Sequence, residues 1–348
     1  MSPILLDRNE NRYGPAPECL AALRKTPQES LFNYTRDFQR GVYSPLSQRL
    51  AELHGVPEMR VILGYGCEDL LKQAIHHWVQ PGEPLLVPSA SWWYYRSIAD
   101  EVGGVTVEYP IVETPTTYVY DIDALVRIQR ETRARVILIA SPSNPTGNSF
   151  PAERLDDVIE MFRDGVVVYD EAYYGFADPP HEGAAALART YPNLLVLRTF
   201  SKLYALAGAR IGYGVAGEGL GDFLKFTSRN LGYSRISERL ALAALSNRGY
   251  YDGIRNAMLA DRRRIIDALR SHRGVRAFES DANFVFARFP PEGAATLKAE
   301  LDRRGLIIKF LTEADFAHCA RITVGTSDET SALLEAIQEI LSSVPADR

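Results

Sequence analysis

The sequence predicts an α/β protein: a large domain built on a mostly parallel sheet, with a smaller α+β lobe at the C-terminal end. Two patterns carry this. Through the middle of the chain, short β-branched and apolar runs alternate with amphipathic stretches, as in βα units. Beyond about residue 248 the alternation gives way to a long arginine-rich helical stretch and a different order of strands and helices. With 348 residues, 46% hydrophobic and 24% charged, the chain is long enough for one large core and a smaller one.

Taken in order, strands are expected over 60–63, 84–87, 105–109, 135–140, 166–169, 194–197 and 211–215. Several are apolar throughout, which requires cover on both faces. Between them, 68–79 carries Leu70, Leu71, Ala74, Ile75, Trp78 and Val79 on one helical stripe, and 152–162 starts just after Pro151, a favourable first-turn residue. The lobe reads as a helix over 250–271, strands near 275–278 and 283–288, a helix over 294–304, two more strands and a closing helix over 329–342. The expected division is an N-terminal arm over 1–33, a large domain over 34–248 and a small domain over 249–348. No linker rich in Gly, Pro or Ser and no repeat marks the boundaries.

Charge narrows the partners. Lys and Arg total 39 against 44 Asp and Glu, a net charge of -5 without blocks of one sign, so neither nucleic acid nor a membrane surface is an expected partner. No apolar run reaches the length of about 18 residues that spans a bilayer, and the N-terminus lacks the apolar core of a signal peptide. Cys19, Cys67 and Cys319 have neither CxxC nor Cys/His spacing, so no disulfide framework or metal site is expected. A cytoplasmic protein acting on small molecules fits these features.

Ligands of open α/β sheets bind beyond the carboxyl ends of the strands. Three such ends carry chemistry: Ser141-Pro142-Ser143-Asn144-Pro145-Thr146-Gly147, Asp170-Glu171-Ala172-Tyr173, and Thr199-Phe200-Ser201-Lys202. Only six of the 39 basic residues are lysines, and Lys202 alone among them follows a buried-looking strand into a Ser/Thr- and Gly-rich turn. The turn Gly64-Tyr65-Gly66-Cys67 precedes the helix near Glu68, where free N–H groups and the helix dipole favour a phosphate. Arg210, eight residues past Lys202, can pair with the same anion. Gly212 to Gly217 matches GxGxxG, but its glycines lie within an expected strand and not at its turn into a helix, and no acidic strand end follows at the required distance, so it is not read as a dinucleotide site. Of His76 and His77, one is expected in the core and one in solvent.

Together with Asn9-Glu10-Asn11-Arg12-Tyr13-Gly14, the run from Thr199 to Arg210 and Arg321-Ile322-Thr323-Val324-Gly325, these segments resemble the fold type I pyridoxal-phosphate enzymes. Within them the chain is most similar to the class I/II aminotransferases of the histidinol-phosphate aminotransferase family, over nearly its whole length. The resemblance implies pyridoxal 5'-phosphate as cofactor, with ping-pong exchange of an amino group between a small-molecule amino donor and an oxo acceptor. It implies that Lys202 forms the covalent link to the cofactor and then acts as base and acid. Asp170 would face the pyridine nitrogen, Asn144 and Tyr173 the ring hydroxyl, and Trp92 the ring face. Gly66, Cys67, Glu68, Thr199, Ser201 and Arg210 would hold the phosphate, joined by Tyr34 of a neighbouring subunit, so that a homodimer shares its sites. Asn11, Tyr13, Arg321 and Lys309 would bind substrate.

Departures from the family pattern are also legible. Gly66-Cys67-Glu68-Asp69 stands where a small Ser or Ala is usually followed by Asp-Glu, Trp92 replaces a Tyr, and Lys309 replaces an Arg that holds substrate phosphate. Asn33-Tyr34-Thr35-Arg36-Asp37 replaces a Tyr-Pro-Asp turn, and Tyr43 competes with Tyr34 for its role. An aromatic or specialised-metabolism amino acid is thus a rival substrate, and a threonine-phosphate decarboxylase-like enzyme a rival activity. A regulatory sensor of the same fold is a third reading, against which the absence of a basic DNA-binding module counts.

Overall fold

The computed structural model describes residues 3–36, 44–180, 183–227 and 231–343. Its large sheet has seven strands, in the order Val61–Gly64, Gly212–Ala216, Leu194–Thr199, Val166–Asp170, Val136–Ala140, Pro84–Pro88, Val105–Tyr109. All neighbours pair in parallel except Gly212–Ala216, which runs against both of its own. The expected mostly parallel sheet is therefore present.

Alternation along a strand sends successive side chains to opposite faces, and here both faces are covered. Ile137 and Ile139 enter one hydrophobic cluster, while Val136, Leu138 and Ala140 enter another. This is why these strands read as unbroken apolar runs. Helix Cys67–Trp78 buries Leu70, Leu71, Ala74 and Ile75 in the second cluster. His77 of the same helix packs on Trp78 and Phe223, while exposed His76 pairs with Glu101 at 3.0 Å.

A five-stranded sheet forms the C-terminal lobe, in the order Ile4–Leu6, Leu306–Phe310, Cys319–Thr323, Phe284–Arg288, Arg276–Ala277. The first of these comes from the opposite end of the chain and pairs in parallel with Leu306–Phe310. Helix Arg248–Arg270 runs 23 residues and buries Tyr251, Ile254, Met258, Ile265, Ile266 and Leu269 along one side. From it, Arg255 Nε donates to the Gly175 carbonyl at 2.8 Å, and Arg262 Nη1 to the carbonyls of Phe176 and Ala282, each at 2.8 Å. The stretch just after Tyr173 is thereby pinned to the lobe.

The GxGxxG match lies in the Gly212–Ala216 strand, and its first glycine has a packing reason. A Cβ on Gly212 would stand 2.7 Å from the backbone N of Cys67 and from the carbonyl carbon of Gly66. The missing side chain lets the start of helix Cys67–Trp78 close onto the sheet.

Candidate active site

Parallel strands deliver their carboxyl ends to one edge, and register aligns them there: Ala140 lies opposite Asp170, and Asp170 opposite Leu197. Asp170 ends its strand with 6% of its surface exposed. Its Oδ1 accepts from the Ala172 N–H at 2.9 Å and from Cys67 Sγ at 3.3 Å, and its Oδ2 from the Tyr95 hydroxyl at 2.9 Å. Burial pushes the Asp170 pKa up, against the pull of these donors.

Lys202 follows the Leu194–Thr199 strand, and its Nζ donates to the carbonyls of Arg8 at 3.1 Å and Asn9 at 3.2 Å. The ammonium also lies 5.5 Å from the centre of the Tyr173 ring. Burial first, then the nearby Arg321 cation, bring its pKa down to about 8. More of this amine is neutral near physiological pH than is usual for lysine.

Arg321, in the Cys319–Thr323 strand, reaches across from the small sheet. Its Nη1 donates to Asn144 Oδ1 at 2.6 Å and its Nη2 to the Asp7 carbonyl at 2.6 Å, while its buried Nε has no hydrogen-bond partner among the described residues. Lys309 sits directly opposite Arg321 in the antiparallel pair and is exposed. Opposed residues share a sheet face, so the side chains of Lys309 and Arg321 leave the small sheet on the same side.

The start of helix Cys67–Trp78 carries the free backbone N–H groups of any helix N-terminus. Gly66 caps helix Cys67–Trp78 at φ 93°, and among the described residues no side chain caps the free N–H groups there. A Cβ on Gly66 would lie 2.9 Å from Arg210 Nη2, so glycine serves both the left-handed turn and the close approach of the guanidinium. Arg210 Nη2 also donates to the Tyr65 carbonyl at 3.3 Å and lies 3.7 Å from the Glu68 carboxylate. Thr199 Oγ1 donates to Ser201 Oγ at 2.9 Å and accepts from the Ser201 N–H at 3.1 Å.

Other expected residues fall nearby or apart. The Tyr173 hydroxyl accepts from Asn9 Nδ2 at 2.8 Å, and Trp92 packs edge-on against Tyr95 at 5.7 Å. Asn11 Nδ2 donates to the Leu203 carbonyl at 2.9 Å, beside Lys202, whereas the Tyr13 hydroxyl meets Ser327 Oγ at 3.2 Å. Tyr34 is 69% exposed and has no hydrogen bond among the described residues, so one chain alone does not bring it to the others. Asp37 and Tyr43 lie outside the described residues.

Three features escaped the sequence. Tyr95 ends the run Trp92-Trp93-Tyr94-Tyr95, in which only Trp92 is given a role by the sequence, yet its hydroxyl holds Asp170. Cys67 reads as part of the phosphate turn, yet its thiol points to Asp170. Asn9 is a hub: its N–H donates to Thr323 Oγ1 at 3.0 Å, its amide to Tyr173, and its carbonyl accepts from Lys202 and from Asn283 Nδ2 at 3.1 Å. It adopts φ 55°, a conformation that asparagine tolerates better than most residues. Its place in the Asn9-Glu10-Asn11 motif was the available signal.

With this geometry in view, residues 2–337 match the family model of aminotransferase class I and II. The chain belongs to that family. It is 32% identical over 346 residues to histidinol-phosphate aminotransferase 2 of Rhizobium meliloti (strain 1021), covering 97% of this chain and 93% of the relative. It is also 32% identical to histidinol-phosphate aminotransferase of Anaeromyxobacter sp. (strain Fw109-5), covering 97% and 90%. The crystal structure of histidinol-phosphate aminotransferase from Sinorhizobium meliloti in complex with pyridoxal-5'-phosphate superposes with a TM-score of 0.88 at 26% identity, covering 99% of this chain and 92% of that one. The aminotransferase is thus a pyridoxal-phosphate-dependent transferase of amino groups between an amino donor and an oxo acid, as expected. The residues present fit the cofactor: a Cβ-free cradle at a helix start beside Arg210, a buried carboxylate and a reachable amine. Among the described residues no helix is long and apolar enough to cross a membrane.

Proposed function

We propose that this aminotransferase acts on histidinol phosphate or a closely similar amino phosphate, with the residue roles that follow. The observation that carries the reading is the clustering of Lys202, Asp170 and Arg321, close enough for the charges of the other two to act on Lys202, with Lys309 opposite Arg321 in the register of the small sheet. Two cationic residues on one face of the small sheet suit a substrate with a dianionic end, and lysine serves there as a point charge without the bidentate fork of arginine. The names of the relatives support the same substrate.

Bound at this site, pyridoxal phosphate supplies an electron sink for negative charge at the substrate Cα. Lys202 would carry it covalently and afterwards shuttle the proton at Cα, a task its lowered pKa of about 8 favours. Asp170 would hold a proton on the ring nitrogen, and Asn144 and Tyr173 would donate to the ring hydroxyl oxygen. Trp92 would cover the ring face. The N–H groups after Gly66, those of Cys67 and Glu68, would bind the phosphate together with Thr199, Ser201 and Arg210. Arg321 would orient the substrate, and Asn11 and Tyr13 would line the approach.

Tyr34 would reach the phosphate of a second copy, which makes the working enzyme a homodimer with shared sites. Its exposure in the single chain supports this. The three cysteines are all buried and unpaired, in keeping with a cytoplasmic setting. The test is a donor panel containing histidinol phosphate, glutamate and the aromatic amino acids, with oxo product measured for each. Preference for histidinol phosphate is expected; preference for an aromatic amino acid would overturn the substrate assignment.

A further inference from the structure

Two side chains with no assigned role toward Asp170 close on its carboxylate from different elements. Tyr95 lies in helix Tyr94–Glu101, and its hydroxyl donates to Oδ2 at 2.9 Å. Cys67 is the first residue of helix Cys67–Trp78, and its thiol meets Oδ1 at 3.3 Å. Both residues are buried. The third donor is the Ala172 N–H on Oδ1, so both oxygens are held and none of the donors bears a charge.

We propose that Tyr95 and Cys67 are positioning residues that keep Asp170 ionised and aimed, so that the proton shared between Asp170 and the cofactor's ring nitrogen rests on the ring. This rests on the reading of Asp170 given above. Burying a carboxylate favours its neutral form, and hydrogen bonds to the charged form oppose that. Burial also raises the phenol and the thiol well above their ordinary pKa values, so each stays protonated and serves as a donor. Removing one donor moves the shared proton toward Asp170 and away from the ring.

Tyr95→Phe keeps the ring that packs on Trp92 and removes only the hydroxyl. Cys67→Ala removes the thiol, and Cys67→Ser restores a donor of similar size. The experiment loads wild type and variants with pyridoxal phosphate labelled with 15N at the ring and follows that resonance against pH, with Asp170→Asn as reference. Wild type and Cys67→Ser should show a protonated ring. Tyr95→Phe and Cys67→Ala should lose the ring proton about one pH unit earlier, the scale of one hydrogen bond to a charged group. Cofactor affinity should fall about tenfold in Tyr95→Phe on the same grounds. If Asp170→Asn moves the resonance while Tyr95→Phe and Cys67→Ala titrate like wild type, the proposal is wrong and the role of Asp170 stands. A shift in one of the two variants alone removes the other residue from it. No change in Asp170→Asn overturns both the role and the proposal.

Discussion

Arg321 and Asn144 meet across the two sheets: the guanidinium Nη1 donates to the amide oxygen at 2.6 Å. Asn144 follows the central Val136–Ala140 strand and Arg321 lies in a strand of the small sheet. The bond ties a proposed cofactor contact to a proposed substrate clamp. It also sets the Arg321 cation near Lys202, where the two like charges repel.

That repulsion is measurable. In the apoprotein, modification of Lys202 by an amine reagent, followed against pH by peptide mass spectrometry, should show a midpoint near 8. Arg321→Gln removes a cation that disfavours the ammonium, so the midpoint should move up toward the ordinary lysine value.

Lys202→Ala should abolish covalent attachment of the cofactor and lower the turnover number by at least about 10²-fold, the lower range for a missing acid–base group. Borohydride reduction followed by mass spectrometry reads the attachment, and steady-state assays read the turnover.

Gly66→Ala places a methyl against Arg210 Nη2 in a residue at φ 93°. The expected result is a marked loss of cofactor affinity by equilibrium titration, with a stability cost of about 1–3 kcal/mol from the strained backbone. An unchanged dissociation constant would remove this turn from the phosphate site.

The buried pair beneath the site bears on stability. Arg198 Nε donates to Glu171 Oε2 at 2.7 Å, and Arg198 also lies over the Tyr174 ring at 3.4 Å. Arg198→Ala leaves a buried carboxylate without its cation and should cost about 3–5 kcal/mol in urea unfolding.

Much of this architecture was legible in the sequence because parallel strands buried on both faces are apolar without interruption. Val136–Ala140 and residues 166–169 are such runs, with polar residues directly after them. The N-terminal strand Ile4–Leu6 was not legible: three residues show no periodicity, and its partner Leu306–Phe310 lies about 300 residues away. In the site, Lys202, Asp170 and Asn144 follow strand ends and could be read from position. Tyr95 could not, since a hydroxyl within an aromatic run gives no sign of where it points until helix Tyr94–Glu101 is set against the sheet. Cys67 belonged to the right turn, but the direction of its thiol depends on how closely that helix packs, which Gly212 governs.

The most direct test of the central claim is the visible spectrum of the purified protein supplied with pyridoxal phosphate, before and after addition of histidinol phosphate. The account predicts an absorption band of covalently bound cofactor that is bleached by the donor and is absent in Lys202→Ala. A wild-type protein that takes up no cofactor, or a band unchanged in Lys202→Ala, would contradict it.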